Sequence, residues 1–175
     1  MLTLLHTERQ EAMMRYIIRE RMFRLGEDSD ITDQAGQAVL HVDGKVLSLH
    51  NRLILRDPAG NEVGQVSRKL VSLRPTYQIA IGGQDVAEVR KRMFKVFGER
   101  FIIDVVGGDE MAIDGDLFSH EFTIDRDGQT VATVSKRWIS MTDSYVVDVA
   151  SGQNDVLILA SVLALDLAMD AEKDR

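Results

Sequence analysis

Residues 57–81 read DPAGNEVGQVSRKLVSLRPTYQIAI, and residues 125–149, 68 positions further on, read DRDGQTVATVSKRWISMTDSYVVDV. Aligned without a gap, seven of the 25 positions are identical: Asp57/Asp125, Gly60/Gly128, Val63/Val131, Val66/Val134, Ser67/Ser135, Ser72/Ser140 and Tyr77/Tyr145. Average composition gives roughly one or two such matches. Arg68/Lys136, Lys69/Arg137, Val71/Ile139 and Ile79/Val147 keep their character as well. Each copy opens on an Asp-led turn with a glycine, then runs into β-branched and aromatic residues. Asp bonds the backbone ahead of it and Gly supplies the positive φ, which is the chemistry of a β-hairpin. A weaker echo at 82–105, GGQDVAEVRKRMFKVFGERFIIDV, carries the same Val-x-x-Val spacing followed by basic residues.

Outward from the repeat the same punctuation recurs, as DQAG at 33–36, VDGK at 42–45, VGGDE at 106–110 and IDGD at 113–116. Short runs rich in Val, Ile, Leu, Phe and Tyr lie between these marks, with no helical period. Many short strands at this spacing predict an all-β sandwich or barrel. One hairpin cannot bury its apolar face alone, so the copies must pack on each other, and closure into a barrel removes exposed sheet edges. Pro58 and Pro75 both fall where turns are expected.

The segment DVLILASVLALDLAMDAEKDR breaks the pattern, with strong helix formers and no turn residue after Asn154. Asn154 or Asp155 suits the N-cap. Val156 to Leu165 is apolar on every face except for Ser161, and Asp166 then interrupts it. Ten such residues make about 15 Å of helix, half of what a bilayer requires, so a buried core helix is expected rather than a transmembrane span. The strand pattern begins near Tyr16. Residues 1–14 are therefore expected to be an N-terminal appendage, and 15–175 a single domain with its core helix over about 155–171. No signal peptide is visible at the start.

Composition narrows the function classes. The absence of cysteine excludes disulfides, thiolate metal sites and cysteine nucleophiles, and fits a cytoplasmic protein. A net charge of −7 argues against nucleic acid as a partner and against wholesale binding to anionic membranes, since both need a positive field, and leaves room only for a local basic patch. GxGxxG, GxxxxGK[ST] and G-x-S-x-G are absent, and His6, His41, His50 and His120 show no metal-ligand spacing. No cofactor and no catalytic residue are expected. Trp138, Tyr77 and Tyr145 read as core aromatics whose polar tips need partners.

Taken in order, YIIRERMF at 16–23, ITDQAGQ at 31–37, VDGKVLSL at 42–49, the stretch 53–77, IDGDLFSHEFTI at 113–124, the stretch 131–149 and the apolar final helix resemble the LURP-one-related family. That family is akin to the tubby C-terminal domain and the phospholipid scramblases. The resemblance covers about Tyr16 to Met169. It implies a mainly β fold, a closed antiparallel tubby-like barrel of about twelve strands around a buried hydrophobic C-terminal helix. The tubby relatives bind phosphoinositides through basic residues, and scramblases are linked to calcium and lipid movement. The scramblase cysteine-rich segment and proline-rich tail have no counterpart here.

Two groups of residues follow from these patterns. Arg68, Lys69, Arg90, Lys91, Arg92, Lys136 and Arg137 stand at equivalent points of related hairpins, where guanidinium and ammonium groups suit phosphate oxygens. Arg74, Lys95 and Arg100 extend the set. The same positions also fit solvated strand residues that protect edges. Asp109, Glu110, Asp114 and Asp116, with Glu121 and His120 nearby, offer hard oxygen ligands for calcium, though without the order of an EF-hand loop. The expected function is a non-enzymatic barrel that binds anionic phospholipid headgroups or another phosphate-bearing ligand, peripheral at a membrane. The alternative is a structural or protein–protein interaction module.

Overall fold

The computed structural model describes residues 13–19, 28–44, 52–96, 98–137 and 144–173. Residues 1–12 of the expected appendage, His6, His50, Trp138 and the side chain of Arg137 lie outside that description.

Twelve strands form in chain order. They are β1 (Met14–Arg19), β2 (Ser29–Thr32), β3 (Ala38–Asp43), β4 (Arg52–Arg56), β5 (Glu62–Arg68) and β6 (Thr76–Ile81). The second half holds β7 (Gln84–Phe94), β8 (Gly98–Val105), β9 (Glu110–Asp116), β10 (Glu121–Arg126), β11 (Gln129–Arg137) and β12 (Ser144–Val149). A helix, α1 (Asp155–Lys173), follows them. Every strand pairs antiparallel with its sequence neighbours, and β1 pairs with β12, so the sheet is a closed barrel. The sandwich left open by the strand pattern is thereby excluded.

Period-2 alternation aims one face of each strand inward: Tyr16 and Ile18 on β1, Val66 on β5, Ala87 and Val89 on β7, Phe122 and Ile124 on β10. These side chains close around α1, whose residues Leu157 to Leu165 are all buried. The helix starts where Asn154 Oδ1 accepts the Leu157 N–H at 3.0 Å, which makes Asn154 the N-cap. Within the apolar core, Ser161 donates to the Leu157 carbonyl at 2.7 Å and so carries no unpaired hydroxyl. Gly64 lies on the strand wall beside the start of the helix. A Cβ there would meet Val156 Cγ1 at 3.0 Å.

The two hairpins of the repeat share one register. Arg68 pairs with Tyr77 and Val66 with Ile79, while Lys136 pairs with Tyr145 and Val134 with Val147. Each pair in the second hairpin is the first displaced by 68 residues. In the closed order β5 and β11 stand six strands apart in a ring of twelve, on opposite walls. Antiparallel closure also means that all odd-numbered strands run toward the same end. The helix runs that way too, because it begins beside Gly64 and finishes where Lys91 meets Glu172. We call the two openings the entry end and the exit end of the helix.

Candidate functional site

The charged residues of the repeat are divided along the barrel axis. At the entry end the hairpin turns are built on aspartates. Asp33 Oδ1 accepts the N–H groups of Ala35 and Gln37 at 2.9 Å, and Asp57 Oδ1 accepts that of Asn61 at 2.8 Å. The Asn61 side chain and backbone hold the Asp57 carboxyl below the usual carboxylate range. Thr130 donates to Asp125 at 2.6 Å in the corresponding turn of the second copy. Asp109, Asp127 and Asp155 lie at the same end, by the strand directions. Cations gather at the other end, because the Val-x-x-Val-Ser-[Arg/Lys] run reaches its basic residues as the odd strands arrive there. Arg68, Lys69, Arg74, Lys95, Arg100 and Lys136 all belong to the exit end.

Strand geometry divides the seven expected anion-binding residues. Arg68, Lys91 and Lys136 each follow a buried valine by two positions, Val66, Val89 and Val134, and so share the lumen-facing register at the mouth. Lys91 there pairs with Glu172 near the helix terminus, its ammonium 5.0 Å from the Phe101 ring centre. A cation beside that terminus also offsets the negative end of the helix dipole. Arg90 and Arg92 alternate to the outer face. Arg90 Nε bonds Asp104 at 2.5 Å, and Arg92 makes a two-pronged pair with Glu110 while lying 4.6 Å from the Phe94 ring centre. Lys69 pairs with Glu88. Arg68 is exposed, with no ion pair among the described residues. The Arg68–Lys69 and Lys136–Arg137 pairs share an end of the barrel but stand on opposite walls.

The acidic residues do not converge. Strand β9 carries Asp109 and Asp116 to opposite ends, Glu110 is held by Arg92, and Asp114 lies 3.7 Å from Arg100. The Ser119 hydroxyl and the N–H groups of Phe118 and Ser119 bind Asp116 and hold its carboxyl below the usual range. Among the described residues no group of three or more His, Asp or Glu side chains is placed to hold a metal ion. A cleft of about 290 Å³ opens at the exit end, lined by Phe101, Phe118 and Met169 together with Lys91, Asp114 and Glu172.

Two features escape a reading of the sequence. The first surrounds Asp166, the acid that interrupts the apolar helix. Its carboxylate accepts the Tyr145 hydroxyl and lies 3.0 Å from His120 Nε2, and the His120 ring stacks on Tyr145 at 4.4 Å and 17°. Tyr77, the repeat partner of Tyr145, donates to the Leu167 carbonyl at 3.2 Å, so both hydroxyls meet successive residues of α1 from opposite walls. The interruption in the helix was the available signal.

The second feature is apolar and exposed. In the β5–β6 loop Leu70 is 78% exposed, and Val71 and Leu73 are fully so. Met93 and Val96 at the β7–β8 turn and Phe118 at the β9–β10 turn are exposed as well, all at the exit end. Only an alternation of apolar and basic letters marked these loops in the sequence, and that pattern equally suits a strand.

A family model described as LURP-one-related matches residues 14–166. The chain belongs to the LURP-one-related family. The uncharacterised protein YxjI of Bacillus subtilis strain 168 is 33% identical over 164 residues, which span 93% of this chain and 98% of the relative. An Arabidopsis thaliana protein solved by X-ray crystallography superposes with a TM-score of 0.66 over 93% of each chain. At 16% identity that likeness concerns the fold alone. The barrel with its enclosed helix is thus shared across this LURP-one-related chain and its plant neighbour. No helix among the described residues is long and apolar enough to cross a membrane.

Proposed function

We propose that this LURP-one-related barrel is a non-enzymatic binding module whose exit end docks on anionic phospholipid headgroups or another phosphate-bearing ligand. One observation carries the reading: a chain of net charge −7 collects the basic residues that close its repeat hairpins at one end and the Asp-led turns that open them at the other, although Asp43, Asp114 and Asp116 share the basic end. A charge asymmetry of that kind orients a protein in the field of an anionic surface, whatever its net charge. Arg68 and Lys95 are exposed there and have no ion pair among the described residues, so they bear the contact first. Lys69 lends further charge at the cost of its pairing with Glu88.

The test is co-sedimentation with vesicles of phosphatidylcholine alone and of phosphatidylcholine mixed with phosphatidylserine, at rising salt. Binding confined to the anionic vesicles and falling with salt is expected, because exposed charges are screened beyond about a Debye length. Equal recovery with both vesicles contradicts the reading. The second reading, a structural or protein–protein interaction module, draws support from the carboxylate partners of Lys69, Arg90, Lys91 and Arg92, which neutralise much of the charge internally.

A further inference from the structure

The exit end also bears most of the exposed apolar side chains of the described molecule. Of the large hydrophobic residues left exposed, Leu70, Val71, Leu73, Met93, Val96 and Phe118 stand there, while Met13, Met14 and Val106 lie at the entry end. Apolar side chains left in water at loop tips contribute nothing to the barrel core, and clustering at one place marks a contact surface. Their arrangement differs from a flat apolar face. They sit on separate hairpin tips and alternate with cations: Arg68 and Lys69 precede Leu70, Arg74 follows Leu73, and Lys95 precedes Val96. The sequence states the pattern twice, since WISM at 138–141 aligns with LVSL at 70–73. Residues 138–141 lie outside the described residues and form no part of the proposed surface.

We infer that the β5–β6 loop and the β7–β8 turn insert Leu70, Val71, Leu73 and Val96 into the interfacial region of an anionic lipid surface, with the barrel standing on its exit end. The inference rests on the proposed docking of that end and adds its depth and orientation. Charge complementarity selects the occupant. Arg68 and Lys95 meet headgroup phosphates while the tips reach the acyl boundary, and Lys69 and Arg74 join them by exchanging Glu88 and Glu99 for phosphate, the division of labour of interfacial membrane segments. A protein partner would have to supply separate pockets for tips on two hairpins and acidic groups between them.

The chain has no cysteine, so a single introduced thiol is a unique labelling site. Leu73→Cys carries an environment-sensitive fluorophore at the inserted tip, and Ala59→Cys carries it at an exposed turn of the entry end. With phosphatidylserine-containing vesicles the Leu73 label is expected to shift to the blue and be quenched by lipids spin-labelled near the headgroup. The Ala59 label is expected to do neither. Unlabelled Leu70→Ser/Leu73→Ser, which alters only exposed positions, is expected to partition roughly tenfold less or weaker still, with its salt dependence kept. Sedimentation with the Leu73 label still in water overturns insertion and leaves headgroup docking in place. No sedimentation with anionic vesicles at low salt overturns both and assigns the apolar tips to a protein.

Discussion

Gly115 sits at φ 123°, where a Cβ would lie 2.5 Å from the Glu121 carbonyl oxygen and 2.7 Å from Phe122 Cα. Those neighbours are backbone of the paired strand and have no slack. Gly115→Ala is expected to destabilise the fold by about 2–4 kcal/mol through strain and overpacking, visible as a lower urea midpoint. The same substitution at Gly60, where nothing lies within 4 Å of the Cβ position, meets only the φ penalty and costs less. Tyr16 supplies a pH signature. Burial, and then its hydrogen bond to Asp155, push its phenol well above the ordinary value of about 10. A raised folded pKa gives stability that is intact below about pH 10 and is lost as pH rises beyond it, because the unfolded phenol ionises first. Urea midpoints are expected to hold to that point and then fall, and Tyr16→Phe is expected to flatten part of the fall.

At the scale of elements, most of the architecture lies in local chemistry. Asp-Gly turns and period-2 burial mark the hairpins, and the 68-residue repeat recurs as an identical pairing register. The end of turn punctuation after Asn154 marks the helix. Asn154→Ala is expected to cost about 1 kcal/mol by leaving the Leu157 N–H without its cap, measurable by thermal unfolding. Ring closure is another matter. The pairing of β1 with β12 joins residues such as Tyr16 and Val147, and no local pattern names so distant a partner. Family resemblance supplied it. The candidate site was legible only in part. Arg90, Lys91 and Arg92 form one basic run in the sequence, yet alternation sends Lys91 to Glu172 at the mouth and its neighbours to carboxylates outside. The exposure of Leu70, Val71 and Leu73 was not legible, since apolar letters do not state whether a loop folds back or stands out. Asp166 read as a flaw in the helix, and it is the meeting point of Tyr145 and His120.

The molecule as a whole has a direction. The repeat puts its aspartates before the odd strands and its basic residues at their close, and antiparallel closure lines up every copy. The repeat's Asp-led turns at the entry end, and its basic residues beside exposed apolar tips at the exit end, follow from that one phase relation between turn and strand. Conversion of the exit end therefore matters more than any change in net charge. Vesicle co-sedimentation of Arg68→Glu/Lys95→Glu beside the single reversal Arg56→Glu, a cation of the entry end, tests this most directly. Each basic residue near an anionic surface is worth about 1 kcal/mol, so the exit-end variant is expected to bind phosphatidylserine vesicles roughly 25-fold or more weakly, while Arg56→Glu binds as the native chain does. Equal losses in the two variants, or none in either, would contradict a docking surface at the exit end.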